Sequence, residues 1–117
     1  MVWLNHKGHI RPFGSAIAKK VKIGNEVYDV WYGRQSNGST SWNLISYLAR
    51  KKTFSVRNLD IKAFTDDAAH RDYINPSWYL IAIEAGFELW QGGAGLSTNS
   101  FSASVNSFTS TTSPANE

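Results

Sequence analysis

The 117-residue sequence contains no cysteine, which excludes disulfide bonds and thiolate chemistry. It also contains no apolar run that approaches the roughly 20 residues of a membrane-spanning helix. Residues 1–30 lack the basic start, apolar middle and small-residue cleavage site of a signal peptide. Asp and Glu together number only nine, and this shortage restricts the choice of side chains for acid/base catalysis.

Positive charge is weak, with a net charge of +3 and a single dense cluster, Arg50-Lys51-Lys52, that is typical of a solvated strand end. His6 and His9 lie in a predicted turn without an acidic neighbour or a third ligand, so the pair does not indicate a metal site. The glycine-rich stretch 92–95 lacks the Lys and Ser/Thr of a phosphate loop and is interpreted as a bend. We therefore expect no metal, cofactor, nucleic acid or membrane as a partner.

What the sequence has in abundance is period-2 alternation with many aromatic residues, five of them Trp. Gly24-Asn25 separates two β-branched runs and predicts a two-residue hairpin, whereas Gly33–Ser39 is interpreted as a polar loop. In the strand before the hairpin, Ile17, Val21 and Ile23 are expected to share one face with Lys19. The alternation predicts strands over 2–5, 17–23, 27–32, 42–48, 53–56, 78–88 and 97–105.

One helix interrupts the strands. Asn58 is the predicted N-cap, and Ile61, Phe64 and Ala68 recur at helical spacing to make one apolar face. Asn75-Pro76 ends any helix. Many strands with a single helix predict an all-β fold, an antiparallel β-sandwich whose first strand lacks its beginning. Residues 107–117 are rich in Ser and Thr and are predicted to be a disordered tail or the start of a linker.

The predicted strand before the glycine bend has the clearest chemical character. If it is extended, Ile83, Ala85 and Phe87 form a core face. The opposite face then holds two carboxylates, a glycine that admits a ligand, and an aromatic plate on which a sugar ring can stack. A polar outer face with an incidental Trp explains the pattern equally well. The residues of this opposite face are Glu84, Gly86, Glu88 and Trp90.

Glu84 and Glu88 cannot act as the paired carboxylates of a glycosidase if they lie on one strand. Four residues of strand span about 13 Å at ~3.3 Å each, whereas retaining enzymes need about 5–5.5 Å and inverting enzymes about 6.5–9.5 Å. A partner must come from a neighbouring strand. Asp29 is the candidate that the pattern leaves, and a place on an outer face is the alternative for it.

The segment from Trp78 to Ser102 resembles the C-terminal signature of glycoside hydrolase family 12, and the resemblance extends collinearly from Met1 to about Asn106. Leu89, where many members have Pro, is a minor departure. The matching stretches are Met1-Val2-Trp3-Leu4, Arg11-Pro12-Phe13-Gly14-Ser15, Val27 to Gly33, Asp60-Ile61-Lys62-Ala63-Phe64, Ile83 to Trp90, Gly92 to Leu96 and Asn99-Ser100-Phe101-Ser102.

This resemblance implies a jelly-roll (concanavalin-like) fold and a retaining endo-β-1,4-glucanase, a cellulase or xyloglucanase that degrades polysaccharide. Glu88 matches the general acid/base. The family's nucleophile is a Glu two residues before the residue that corresponds to Met1, so we expect it to be absent, and Asp29 does not replace it. The resemblance also implies substrate-binding roles for Met1, Trp3, Glu84 and Trp90.

We accordingly expect residues 1–106 to be the C-terminal half of a catalytic domain, inactive alone and derived from an incomplete gene or a late start codon. Intact members imply a secreted, monomeric enzyme whose partner is β-glucan or xyloglucan. Two alternatives remain: a non-catalytic carbohydrate-binding module, and an orphan fragment without independent function.

Overall fold

The computed structural model describes residues 1–105 and 108–112. The chain divides into two compact units, which we call unit one (Met1–Trp78) and unit two (Tyr79–Glu117). Unit one contains β1 (Val2–Trp3), β2 (Ser15–Ile23), β3 (Glu26–Asn37), β4 (Thr40–Ala49) and α1 (Ile61–His70), and unit two contains β5 (Phe101–Val105) and β6 (Phe108–Thr112).

The sheet of unit one has the order β1-β4-β3-β2. Strands β2, β3 and β4 form an antiparallel meander, as the hairpin signal predicts. Strand β1 instead runs parallel to β4, with Val2 opposite Tyr47 and Trp3 opposite Leu48. Alternation predicts which face a residue occupies but not the direction of the neighbouring strand. After β1, at one edge of the sheet, the chain crosses to β2 at the other edge and returns through β3 to β4, which lies beside β1.

Two hairpins shape the meander. The Gly24-Asn25 turn is confirmed, with Ile23 opposite Glu26 and a positive φ of 64° at Gly24. The polar loop predicted over Gly33–Ser39 is wrong, because β3 continues to Asn37 and the chain reverses at Gly38-Ser39. Backbone ladder bonds do not require apolar side chains, so a strand that projects into solvent keeps its register with polar residues on both faces.

The prediction that Ile17, Lys19, Val21 and Ile23 share one face of β2 is also wrong in its first half. The register slips between Ala16 and Ala18 and again between Ala18 and Val21, and each slip reverses the alternation. Ile17 is consequently exposed, whereas Ala18 and Val21 pack against the core. A bulge inserts one unpaired residue, which a strict period of two cannot anticipate.

The predicted apolar face of helix α1 is confirmed, with Phe64 and Ala68 buried and Ile61 partly buried. The N-cap is Asp60 rather than Asn58: its Oδ1 accepts a hydrogen bond from the Lys62 amide at 3.0 Å. The ring of Phe64 meets the rings of Tyr28 and Tyr47 edge to face, at centroid distances of 5.0 and 5.1 Å. The buried cluster comprises Ile23, Tyr28, Val30, Tyr47, Ala49 and Phe64.

A polar network joins β4 to the helix at the edge of this cluster. The Tyr47 hydroxyl donates to Asp67 Oδ2 at 2.8 Å and lies 3.1 Å from the Phe64 carbonyl oxygen. Arg71 Nε donates to the same carboxylate oxygen at 2.8 Å. Burial, followed by the hydrogen bond to the Asp67 carboxylate, raises the pKa of Tyr47 well above its ordinary value. The phenol therefore stays protonated and anchors the helix.

Two further strand predictions fail locally. No strand forms over 53–56, because Thr53 Oγ1 accepts a hydrogen bond from the Ser55 amide and donates to the Ser55 carbonyl, which closes a turn. The strand predicted over 97–105 begins only at Phe101. Strand β6 lies inside the segment predicted as a disordered tail, so that prediction is wrong for residues 108–112. Residues 106–107 and 113–117 lie outside the described residues, and the domain boundary at 106 stays a prediction.

Candidate functional site

The segment from Tyr79 to Trp90 contains the predicted acid/base but forms neither a strand nor a helix, so the strand predicted over 78–88 is wrong. In the described part of unit two, β5 pairs with β6 and no strand pairs with this segment. A β-strand needs backbone hydrogen bonds to a partner strand. The period-2 pattern predicts which residues share a face, but it does not provide such a partner. Its expected core face is correspondingly open, with Phe87 52% exposed.

Glu84 and Glu88 are exposed on this segment, and neither carboxylate has a hydrogen bond or an ion pair within residues 1–105 and 108–112. Trp90 is 63% exposed. The face that Glu84, Glu88 and Trp90 were expected to share depended on a strand that is absent. Their assignments as acid/base and substrate-binding residues therefore stay predictions.

The glycine-rich bend after Trp90 is confirmed. Gly92, Gly93 and Gly95 adopt φ values of 75°, 101° and 87°, which only glycine adopts without strain. The Leu96 amide donates to the Gly93 carbonyl at 3.2 Å. A Cβ at Gly93 would lie 2.6 Å from Leu89 Cδ2, so the glycine also lets the Leu89 side chain pack against the backbone. The bend turns the chain directly after the predicted site residues.

Met1 and Trp3, the other predicted substrate-binding residues, belong to unit one. The Met1 ammonium group donates to the Ile45 carbonyl at 2.7 Å, and the Met1 carbonyl accepts from the Tyr47 amide. Trp3 is half-buried on β1, in register with Leu48 on β4. Their contact with substrate stays a prediction.

Asp29, the candidate partner carboxylate, has a structural role. Its Oδ1 accepts a hydrogen bond from the Lys20 amide at 3.0 Å, at the residue where β2 bulges with a φ of 56°. Arg50 Nη1 lies 3.5 Å from the same oxygen. These contacts fix the bulge against β3 and leave Asp29 engaged in the sheet rather than free for catalysis.

His6 lies against positive charge. Arg11 Nη1 donates to His6 Nε2 at 3.2 Å, and His6 Nδ1 is buried without a partner in the described part of the chain. Burial, followed by the nearby positive charges of Lys52 and Arg11, lowers the pKa of His6. Within residues 1–105 and 108–112, no group of three His, Asp or Glu side chains could hold a metal ion.

Sequence reasoning missed one surface feature of unit one, an open groove of about 360 Å³ at the C-terminal end of α1, which we call the Trp78 groove. The Tyr73 ring stacks on Tyr32 at a centroid distance of 4.0 Å and forms one wall. The sequence signal for this groove is Asp72, which lies directly after the helix at a position where Gly is usual. The groove is lined by Asn43, Ala69, Asp72, Tyr73, Ile74, Asn75, Pro76 and Trp78.

Comparison with known proteins identifies relatives for nearly the whole chain. The family model described as "Glycosyl hydrolase family 12" matches residues 1–106. "Probable cellulase Cel12b" of Mycobacterium tuberculosis is 41% identical over 106 residues, which cover 91% of this chain and 66% of that protein. "Xyloglucan-specific endo-beta-1,4-glucanase 1" of Phytophthora sojae is 36% identical over 110 residues, which cover 91% of this chain and 43% of that protein.

Among solved structures, the endoglucanase Cel12A from Rhodothermus marinus is 48% identical with a TM-score of 0.73, and the match covers 80% of this chain and 39% of that one. The predicted fold class, an all-β jelly roll with one helix, is confirmed by this likeness and by the elements described above. The chain spans between 39% and 66% of the length of these three relatives. Within the described residues, no helix is both long and apolar enough to cross a membrane.

Proposed function

The chain belongs to glycosyl hydrolase family 12, and from this premise we propose that it supplies the acid/base portion of a retaining endo-β-1,4-glucanase that acts on β-glucan or xyloglucan. The observation that supports the proposal most directly is the family match over residues 1–106, which includes Glu88. Relatives named as a cellulase and as a xyloglucan-specific glucanase support the substrate class.

In this proposal Glu88 protonates the glycosidic oxygen of the leaving group and, once ionised, removes a proton from the water that attacks the glycosyl–enzyme intermediate. Its carboxylate is exposed and has no hydrogen bond or ion pair within the described residues, so no protein contact competes with the substrate for it. Trp90, Trp3 and Met1 are proposed to contact the sugar chain, with Glu84 as a further polar contact.

Retaining hydrolysis needs a second carboxylate as nucleophile, and we propose that this Glu is not among the 117 residues. The chain by itself is then expected to release no reducing sugar. By the same family reasoning, we propose that the complete enzyme is secreted and monomeric, because its polymeric substrate does not enter cells.

The test is to fuse the N-terminal part of the Rhodothermus marinus endoglucanase, up to the residue matching Met1, to this chain and to measure reducing-sugar release from soluble β-glucan and xyloglucan. The unfused chain is expected to be inactive and the fusion active. Glu88→Gln in the fusion is expected to lower the rate by about 10²- to 10⁴-fold, the contribution of a positioned acid/base.

Glu26→Gln is the matched control, since it removes the same charge at an exposed position of β3 that has no proposed contact with substrate. It is expected to stay within a few-fold of the parent fusion. Equal losses in the two variants, or full activity with Gln at position 88, would remove Glu88 from the mechanism. Activity of the unfused chain that Glu88→Gln abolishes would show that another of its own carboxylates serves as nucleophile.

A further inference from the structure

We propose that the Trp78 groove is a second binding site for a β-glucan chain, formed entirely by residues of unit one and by none of the residues proposed for catalysis. The choice of β-glucan as ligand rests on the proposed function. The groove itself is inferred from three independent features: an unpaired carboxylate in an unfavourable position, an exposed indole, and walls that are fixed by hydrogen bonds and stacking.

Asp72 is the first feature. Helix α1 ends at His70 with Arg71 as C-cap, and Asp72 follows with a φ of 65°. Glycine, or less often Asn, is preferred at this position, because a side chain strains the left-handed conformation. A negative charge at a helix C-terminus also interacts unfavourably with the helix dipole. The Asp72 carboxylate offsets neither cost with a hydrogen bond or an ion pair in the described part of the protein.

A residue that is locally unfavourable and unpaired is a candidate for a functional position. Asp72 lines the groove and is exposed. Its carboxylate is an acceptor, and sugar hydroxyls donate readily to such an acceptor. Gly would serve the helix end better, and in this proposal the Asp72 carboxylate is present to accept hydrogen bonds from the ligand.

Trp78 and Asn75 provide the complementary groups. Trp78 is 65% exposed, and its amide donates to the Asn75 carbonyl at 3.0 Å. Asn75 Oδ1 accepts from the amide and hydroxyl of Ser77, which leaves the Nδ2 group as a donor. An apolar plate beside one acceptor and one donor matches a pyranose ring, which presents C–H groups on its faces and hydroxyls at its rim.

The walls are formed before any ligand binds. The Tyr73 carbonyl accepts from Asn43 Nδ2 at 2.9 Å, the Tyr73 amide donates to the Ala68 carbonyl, and the Tyr73 ring stacks on Tyr32. A ligand therefore does not have to order this part of the chain, which reduces the entropic cost of binding. No Lys or Arg lines the groove, so a phosphate or another anion is not its ligand.

The test is an NMR titration of the 117-residue chain carrying Glu88→Gln with cellohexaose, in which binding is followed through the indole N–H resonances. The resonances of Trp78 and Trp90 are assigned from single Trp→Phe variants. Saturable shifts of the Trp78 resonance are expected. Trp78→Ala is expected to weaken that binding about tenfold, as loss of an aromatic plate does, with the groove followed then through the Tyr73 amide. Trp42→Ala is the matched control, because Trp42 is an exposed Trp on β4 that does not line the groove.

Asp72→Gly separates a binding role from a structural one. It is expected to raise the unfolding temperature, since it removes the strain and the dipole repulsion, and to weaken cellohexaose binding at Trp78 about five- to tenfold. Asp72→Asn, which keeps an acceptor and tolerates the same φ, is expected to bind more tightly than Asp72→Gly. Equal binding by the wild-type and Asp72→Gly chains overturns the assignment of Asp72.

The two Trp resonances distinguish this inference from the proposed function. Shifts at Trp90 without shifts at Trp78 overturn the groove and support the proposed catalytic segment. Shifts at Trp78 without shifts at Trp90 support the groove. Absence of shifts at Trp78, in a chain whose amide spectrum is folded, overturns the groove, whereas the proposed function is tested separately by the activity of the fusion.

Discussion

The hydroxyl of Tyr47 is expected to stabilise unit one by about 1.5–3 kcal/mol, the range for a buried hydrogen bond to a charged acceptor. Tyr47 is only 2% exposed, and its hydroxyl donates to Asp67 Oδ2 at 2.8 Å. Tyr47→Phe removes this bond and keeps the ring, so the edge contact with Phe64 is preserved. Asp67 keeps Arg71 as a partner, which places the expected loss at the lower end of the range.

Tyr28→Phe is the matched control, because Tyr28 is equally buried, also meets Phe64 edge to face, and has no hydrogen bond from its hydroxyl within the described residues. Its free energy of unfolding is expected to change by less than about 0.5 kcal/mol. Urea unfolding followed by far-UV circular dichroism gives both values, provided that the m-values agree. Similar losses for the two variants would refute the role assigned to the Tyr47–Asp67 bond.

Alkaline pH gives a second readout of the same bond. The pKa of Tyr47 in the folded protein is raised above the ordinary value of 10.0, so the stabilisation is complete below about pH 10. As pH rises further, the unfolded chain loses the phenolic proton first, and the free energy of unfolding falls. Tyr47→Phe is expected to flatten this alkaline decline, whereas Tyr28→Phe keeps the contribution of Tyr47.

Four other substitutions test the core, a close backbone contact with its control, and an acid-sensitive side chain. Phe64→Ala is expected to cost about 3–5 kcal/mol in urea unfolding, because the buried ring joins the helix to the sheet. Gly14→Ala places a Cβ against the Tyr32 carbonyl oxygen at a φ of 93° and is expected to cost about 3 kcal/mol or more. Gly24→Ala, at a φ of 64° with open space around it, is expected to cost about 1–2 kcal/mol. The pKa of His6 is lowered in the folded state, so the stabilisation by neutral His6 is complete above the ordinary value of 6.5 and is lost as pH falls. His6→Gln is therefore expected to reduce the fall in the free energy of unfolding between pH 7 and pH 5. The same pH dependence in the wild-type and His6→Gln chains would contradict this role of His6.

Local patterns predicted the features that depend on local chemistry. The Gly24-Asn25 hairpin, the apolar face of Phe64 and Ala68, and the glycine bend after Trp90 all follow from residues within a few positions of one another. The bulge of β2 between Ala18 and Val21 was not predictable in this way, because Asp29 of the neighbouring strand holds it by accepting a hydrogen bond from the Lys20 amide. The parallel direction of β1 depends likewise on a partner that lies far along the sequence.

The candidate site shows the same division. Resemblance to a family singled out Glu88, and the alternation around it predicted a strand that lacks a pairing partner in the described part of unit two. The Trp78 groove was not predicted, since it needs the end of α1 and residue Asn43 of β4 to come together. Asp72 was nevertheless visible in the sequence as a charged residue just beyond a helical pattern, and helix-ending rules applied there would have drawn attention to it.

The strand order of unit one has a consequence for how the chain acquires its structure. Strands β2, β3 and β4 are consecutive and joined by two-residue turns, so their ladders close short loops and are expected to form on the microsecond timescale of hairpins. The pairing of β1 with β4 joins residues 45 positions apart, Val2 with Tyr47, and closes a much longer loop. Folding is therefore expected to nucleate in the meander, with β1 added last, so that substitutions on β1 accelerate unfolding and leave the folding rate nearly unchanged.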